Sequence, residues 1–191
     1  SGVANACTGA EGEENNKRMA QAAAKALGIP THSVFTASTG VIGKQLPMEA
    51  VLTGMPKLTA KLKDTIEAGS LAAEAIMTTD TYAKECAVSF ELDGVTVTVG
   101  GMAKGSGMIH PNMATLLGVV TTDLAISKEL LQEALRENVK HTFNMISVDR
   151  DTSTNDSLLL LANGLAGNQE ITKKGEAYEK FCEALMTVAT D

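Results

Sequence analysis

Apolar positions recur along this chain with two periods, and the switches between them mark out its elements. Over residues 13–27, Met19, Ala22, Ala23, Ala26 and Leu27 fall at helical spacing, and Gly28 and Pro30 end the run. Residues 33–37 read as a short strand, and residues 38–47 as a loop carrying Gly40 and Gly43. Residues 48–53 and 57–67 read as two helices parted by Gly54 and Pro56, and residues 68–77 as a third. Alternation then takes over. Residues 86–92 and 95–99 flank Asp93–Gly94, the residue pair of a type I′ hairpin turn. A strand over 115–121 follows. Ser127 caps a helix to about residue 143, with Leu130, Leu131, Ala134, Leu135 and Val139 on one face. Residues 157–162 form a very apolar strand, and the helical stretch 173–191 carries Phe181, Leu185 and Val188 in one stripe.

Helices grouped before and after hairpin-joined strands predict an α/β fold of the α+β type. The expected arrangement is a layered helix–sheet–sheet–helix stack with mostly antiparallel or mixed strands. A doubly wound parallel sheet fits less well, because strands and helices do not alternate strictly. The 191 residues suit one domain or one compact pair of layers, with no linker between domains. With 44% apolar and 20% charged residues the chain reads as globular. Aromatics at 3%, no Trp and a net charge of −7 argue against nucleic acid, which calls for stacking faces and cations. No run reaches the roughly 18 apolar residues of a membrane span. The three cysteines form no CxxC pair, so free thiols are expected rather than a disulfide framework or zinc site, and no metal is expected. The first residues lack the basic and apolar regions of a signal peptide, and the last helical stretch lacks a C-cap glycine. The sequence therefore reads as a segment of a longer, cytoplasmic protein.

Chemistry concentrates in KGSGMIHPNMAT, residues 104–115. A glycine-bearing loop delivers Thr115 to the start of an apolar strand, which is a way to mount a hydroxyl nucleophile on a rigid edge. Cleavage of the Ala114–Thr115 bond would give Thr115 an α-amine. With an ordinary pKa of about 7.7–8.0, that amine can take the hydroxyl proton. His110 is either a general base or a solvated loop histidine. Lys104 is either an anchor for phosphate or carboxylate or an ordinary loop lysine. Residues 40–44, GVIGK, look faintly like a phosphate loop, but Gln45 stands where magnesium would need Ser or Thr. Asp149, Asp151 and Asp156 lack calcium-loop spacing and read as a turn stitched by side-chain hydrogen bonds.

Five motifs in order carry a resemblance over the whole chain: ANACTG at 4–9, STGVIG at 38–43, MTTDT at 77–81, KGSGMIHPNMAT at 104–115 and DTSTND at 151–156. The chain resembles the glutamate N-acetyltransferases, also called ornithine acetyltransferases, of arginine biosynthesis. The resemblance implies self-cleavage at Ala114–Thr115, so that residues 1–114 end an α chain and 115–191 begin a β chain. It implies ping-pong transfer of acetyl from N-acetylornithine to glutamate through an acetyl-Thr115 ester. Thr39 and Gly40 would hold the oxyanion, and Thr78, Lys104 and Thr115 would contact substrate. No cofactor is implied, although some members also take acetyl-CoA as donor. Association of α and β chains into an α2β2 assembly is implied. Family members are about twice this length. Two other readings compete: an N-terminal-nucleophile amidase or aminopeptidase on the same scaffold, in which water replaces glutamate, and an inactive fragment.

Overall fold

In the computed structural model, which describes residues 2–110, 116–151, 153 and 156–191, the chain divides into two compact units, Ser1–Ala72 and Ala73–Asp191. In the first, β1 (Gly2–Val3) is followed by α1 (Gly9–Leu27) and a 3-10 turn (Thr31–Ser33). Helix α1 ends as expected but begins four residues before the apolar spacing does. Its polar first turns are secured by side chains instead. Asn5 Nδ2 donates to the Gly12 carbonyl (3.1 Å) and Gln45 Nε2 to the Thr8 carbonyl (2.9 Å). The strand expected over 33–37 does not form. Such a strand would need a face to bury, and Phe35 is 65% exposed.

Strand β2 (Gly40–Val41) pairs in parallel with β1, Gly2 opposite Gly40. Helix α2 (Met48–Thr59) runs through Gly54 and Pro56, against the expected break. Pro56 lies in the last turn, where it forgoes a single N–H bond. The helix expected over 57–67 is absent, and Leu58 and Leu62 are exposed. Helix α3 (Ile66–Ala75) follows.

The second unit is built on a four-stranded sheet: β3 (Lys84–Leu92), β4 (Val95–Lys104), β5 (Leu117–Thr122) and β6 (Ser157–Ala162), in that order. The first two pairings are antiparallel and the third is parallel. Asp93 and Gly94 take φ of 52° and 82°, the left-handed pair that a type I′ turn requires. Strand β4 continues five residues past its expected end. There Met102 pairs with Glu85 on one side and Val119 on the other.

Helix α4 (Lys128–His141) starts at Ser127, whose Oγ accepts the Leu130 N–H at 3.4 Å. Helix α5 (Glu176–Thr190) packs on β3 and β4, and α4 packs on α5 and β6. The expected α+β class with antiparallel and mixed strands holds. The core gathers Leu92, Val97, Val99, Val120 and Leu124 under Phe181, Leu185 and Val188 of α5. Phe181 is fully buried. Phe181→Ala is expected to destabilise the fold by about 3–5 kcal/mol. Urea unfolding checks this: the midpoint falls while the slope with denaturant is kept. Among the described residues no helix is long and apolar enough to cross a membrane.

Candidate functional site

The first unit joins two motifs that lie more than thirty residues apart in sequence. The Ala4 N–H donates to the Val41 carbonyl (3.0 Å) and the Gly43 N–H to the Ala6 carbonyl (2.9 Å), zipping ANACTG to STGVIG. Gly40 sits at φ 128°, and a Cβ there would lie 2.1 Å from the Gly2 carbonyl carbon. Only glycine allows the two strands to approach this closely. Thr39 is half-buried just before it, and Gly40 itself is exposed. The predicted oxyanion pair therefore occupies a backbone fixed by β1, with its outer side open. Gln45 is used as a clamp on Thr8 and also accepts from Asn15 Nδ2 at 3.4 Å. That explains a glutamine where a phosphate loop would carry a magnesium ligand.

The second unit brings three motifs together at the end of β4. Lys104, the last residue of that strand, is 2% exposed. Among the described residues its ammonium has one hydrogen-bond partner, Thr78 Oγ1 at 3.4 Å. The predicted substrate pair, Thr78 and Lys104, is thus in contact across 26 positions of sequence. Burial pushes the Lys104 pKa down, the charges of Asp80 and Asp156 oppose that, and Lys84 adds to it; the net shift is downward. Two residues on, Ser106 and Thr79 share a short hydroxyl–hydroxyl hydrogen bond.

Asp80 connects these pieces. Its side chain is fully buried. It accepts from Lys84 Nζ (2.7 Å), the Gly105 N–H (2.7 Å) and the Thr78 N–H (3.2 Å). Burial alone would raise its pKa, but the Lys84 ammonium and the two N–H groups outweigh that and hold it below the ordinary carboxylate value. The motif spelling does not reveal this role, although the i,i+4 spacing to Lys84 is a signal that sequence reading could have used.

The loop beyond Lys104 is held by two further carboxylates. Asp149 accepts from the N–H groups of Met108 (2.6 Å), Ile109 (2.9 Å) and Asp151 (3.2 Å). Asp156 accepts the Leu116 N–H at 2.7 Å. The expected stitched turn is present, and it reaches forty residues back to the loop as well as stitching itself. Hydrogen bonds from Met108 and Ile109 hold the Asp149 pKa below its ordinary value. A carboxylate depressed in this way stabilises the loop above its unfolded pKa and stops doing so as pH falls through its folded value. Amide protection at Met108 and Ile109, the observed exchange rate taken relative to that of an unstructured amide at the same pH, is therefore expected to be high at neutral pH and to fall on acidification. In Asp149→Asn that acid-dependent step should vanish.

A cavity of about 380 Å³ opens beside this cluster, with Lys104, Gly105 and Ser106 on one wall and Met102, Ile109 and Phe143 on others. Its mostly apolar wall around one buried cation suits a small amphiphilic anion. His110 is half-buried: its Nδ1 is out of solvent and, among the described residues, has no hydrogen-bond partner. Ala114 and Thr115, the predicted cleavage pair, lie outside the described residues, between Ile109 and Leu116 whose N–H groups Asp149 and Asp156 hold.

With this geometry in view, the chain is identified by comparison. It belongs to the ArgJ family, whose model matches residues 1–191. It is 56% identical over 188 residues to the arginine biosynthesis bifunctional protein ArgJ of Symbiobacterium thermophilum, covering 98% of this chain and 46% of that protein. The corresponding protein of Thermotoga neapolitana is 51% identical over 189 residues, covering 98% and 47%. The crystal structure of the arginine biosynthesis bifunctional protein from Bacillus halodurans aligns with a TM-score of 0.54 at 49% identity, over 59% of this chain and 58% of that one. The chain spans about half the length of the curated relatives it matches.

Proposed function

We propose that this chain is part of a self-cleaving acyltransferase of arginine biosynthesis that moves acetyl from N-acetylornithine to glutamate. Family membership supports the reading, and the names of the relatives place them in arginine biosynthesis. The observation that carries it is the buried Lys104 ammonium. It touches Thr78 beside an apolar cavity, at the base of the loop that leads to Thr115. An amino-acid carboxylate can take up the donors that Thr78 does not use, and a buried cation binds it more strongly than one in water.

In this mechanism the Thr115 hydroxyl first attacks the Ala114 carbonyl, the C–N bond breaks to free the Thr115 amine and leave an Ala114–Thr115 ester, and water then hydrolyses that ester to an Ala114 carboxylate and a free Thr115 hydroxyl. The Thr115 α-amine then serves as base. The hydroxyl attacks the acetyl carbonyl of N-acetylornithine, and the Thr39 hydroxyl and Gly40 N–H stabilise the oxyanion. Ornithine departs with a proton, leaving an acetyl ester on Thr115. The glutamate amine attacks that ester and restores the hydroxyl. Acetyl-CoA is a second donor in the bifunctional form of this chemistry. The α and β chains stay together, as an α2β2 assembly in the cytoplasm. Neither metal, nucleic acid nor membrane takes part.

The test combines intact mass and N-terminal sequencing of the complete gene product with an acetyl-transfer assay. A fragment beginning at Thr115, with ornithine release that depends on glutamate, is the expected result. Ornithine release that ignores glutamate would make the enzyme an amidase. A single uncleaved species with no turnover would overturn the proposal.

A further inference from the structure

We propose that Asp80 is a positioning residue of the substrate site, its carboxylate setting where the Lys104 ammonium and Thr78 hydroxyl stand. The inference deepens the reading of Lys104 and Thr78 as substrate contacts and rests on it. The geometry is specific. A single carboxylate, with its side chain fully buried, accepts from three separate pieces of chain. Thr78 N–H is the backbone of the residue whose hydroxyl meets Lys104, and Gly105 N–H is the backbone directly after Lys104. The third donor, Lys84 Nζ, comes from the first residue of β3. Asp80 thereby fixes the backbone on both sides of the Lys104–Thr78 contact without occupying the ligand-facing donors of either residue.

Charge supports the same assignment. Lys84 is bonded to a carboxylate and 34% exposed at its side chain, whereas Lys104 is buried and, among the described residues, hydrogen-bonded only to a hydroxyl. Among the described residues, the charged groups that face Lys104 are Asp80 from the turn after α3, Asp156 from the segment before β6, and Lys84 from β3. Glu85 and Asp191 line the wider cavity. Asp80 gives the largest charge effect favouring protonated Lys104, and Lys84 opposes it. Opposite predictions follow for the two residues. Removing the Asp80 charge makes the Lys104 ammonium easier to deprotonate. Removing the Lys84 charge makes it harder.

The experiment is calorimetric binding of N-acetylornithine to the complete gene product from neutral pH upward, for wild type, Asp80→Asn, Asp80→Glu, Lys84→Met and Lys104→Met. For Asp80→Asn, affinity should fall on the order of tenfold, the equivalent of one pK unit of interaction. The alkaline loss of binding should move to lower pH. Asp80→Glu, which keeps the charge, should return the alkaline limb towards wild type even if affinity stays reduced. Lys84→Met should move the limb to higher pH. A folded Asp80→Asn with an unmoved limb overturns the proposal. Should Asp80→Asn fail to fold, Lys84→Met decides: a limb moved up supports the proposal, and an unmoved one overturns it. Lys104→Met separates the two levels. Wild-type affinity in that variant would sink the substrate-contact reading itself. Weakened binding there, with Asp80→Asn unchanged, would sink only the role of Asp80.

Discussion

Thr115→Ala in the complete gene product is expected to leave the chain uncut and to abolish acetyl transfer. Alanine has no hydroxyl to attack the Ala114 carbonyl, so no new N-terminus forms. The base is then lost together with the nucleophile. Groups that act as one unit in covalent catalysis fail together, and loss of the nucleophile costs on the order of 10⁵–10⁶ in kcat. Thr115→Ser is the informative companion, since it keeps a hydroxyl and loses a methyl group. It should still cleave, at a changed rate, and should regain part of the turnover. Mass spectrometry reads the first event and ornithine release the second. Turnover retained in Thr115→Ala would remove Thr115 from the mechanism. Cleavage retained in that variant would show that the bond is cut by some other agent.

The sequence made some parts of this molecule legible because they are local. The 86–99 hairpin was readable from its alternation and from Asp93–Gly94, whose chemistry fixes the turn. Strand β6 was readable from its unbroken apolar run, and helix α5 from the single stripe of Phe181, Leu185 and Val188. The far half of β4 was not readable, since Gly100 and Gly101 dilute the alternation while partners on both sides hold the strand. Helix α2 was misread at Pro56 because proline's cost depends on its position, and in the last turn it is small. The site divides in the same way. Thr78, Thr39 and Gly40 entered through resemblance, not spacing, because their partners are distant in sequence, while Lys104 stood out locally as either an anion anchor or a loop lysine. Apart from the i,i+4 pairing of Asp80 with Lys84, the organising roles of Asp80 and Asp149 escape the sequence for a physical reason. Each acts mainly on backbone N–H groups, those of Thr78 and Gly105 or of Met108 and Ile109, and a backbone donor has no sequence signature.

Lys104→Met is expected to separate stability from function. Methionine fills nearly the same volume with a flexible apolar chain. It removes a cation that is 2% exposed and, among the described residues, hydrogen-bonded only to a hydroxyl at 3.4 Å. Replacing a poorly paired buried charge with an apolar side chain is neutral or stabilising, so the midpoint of thermal unfolding should hold or rise. The pH dependence gives an independent check. Lys104 has its pKa lowered on folding, first by burial, so the unfolded chain binds more protons between the folded value and the ordinary value of 10.5. Stability contributed by this group therefore rises with pH across that window, and in Lys104→Met the rise should disappear. Binding should move the other way. A hydrogen bond to a charged group is worth about 1.5–3 kcal/mol, so affinity for N-acetylornithine should fall by roughly 10- to 100-fold. A variant that is as stable as wild type but binds poorly assigns the buried ammonium to the substrate. A variant that binds normally and unfolds more readily would make Lys104 a structural cation, held for Asp80 and Asp156 instead of for a ligand.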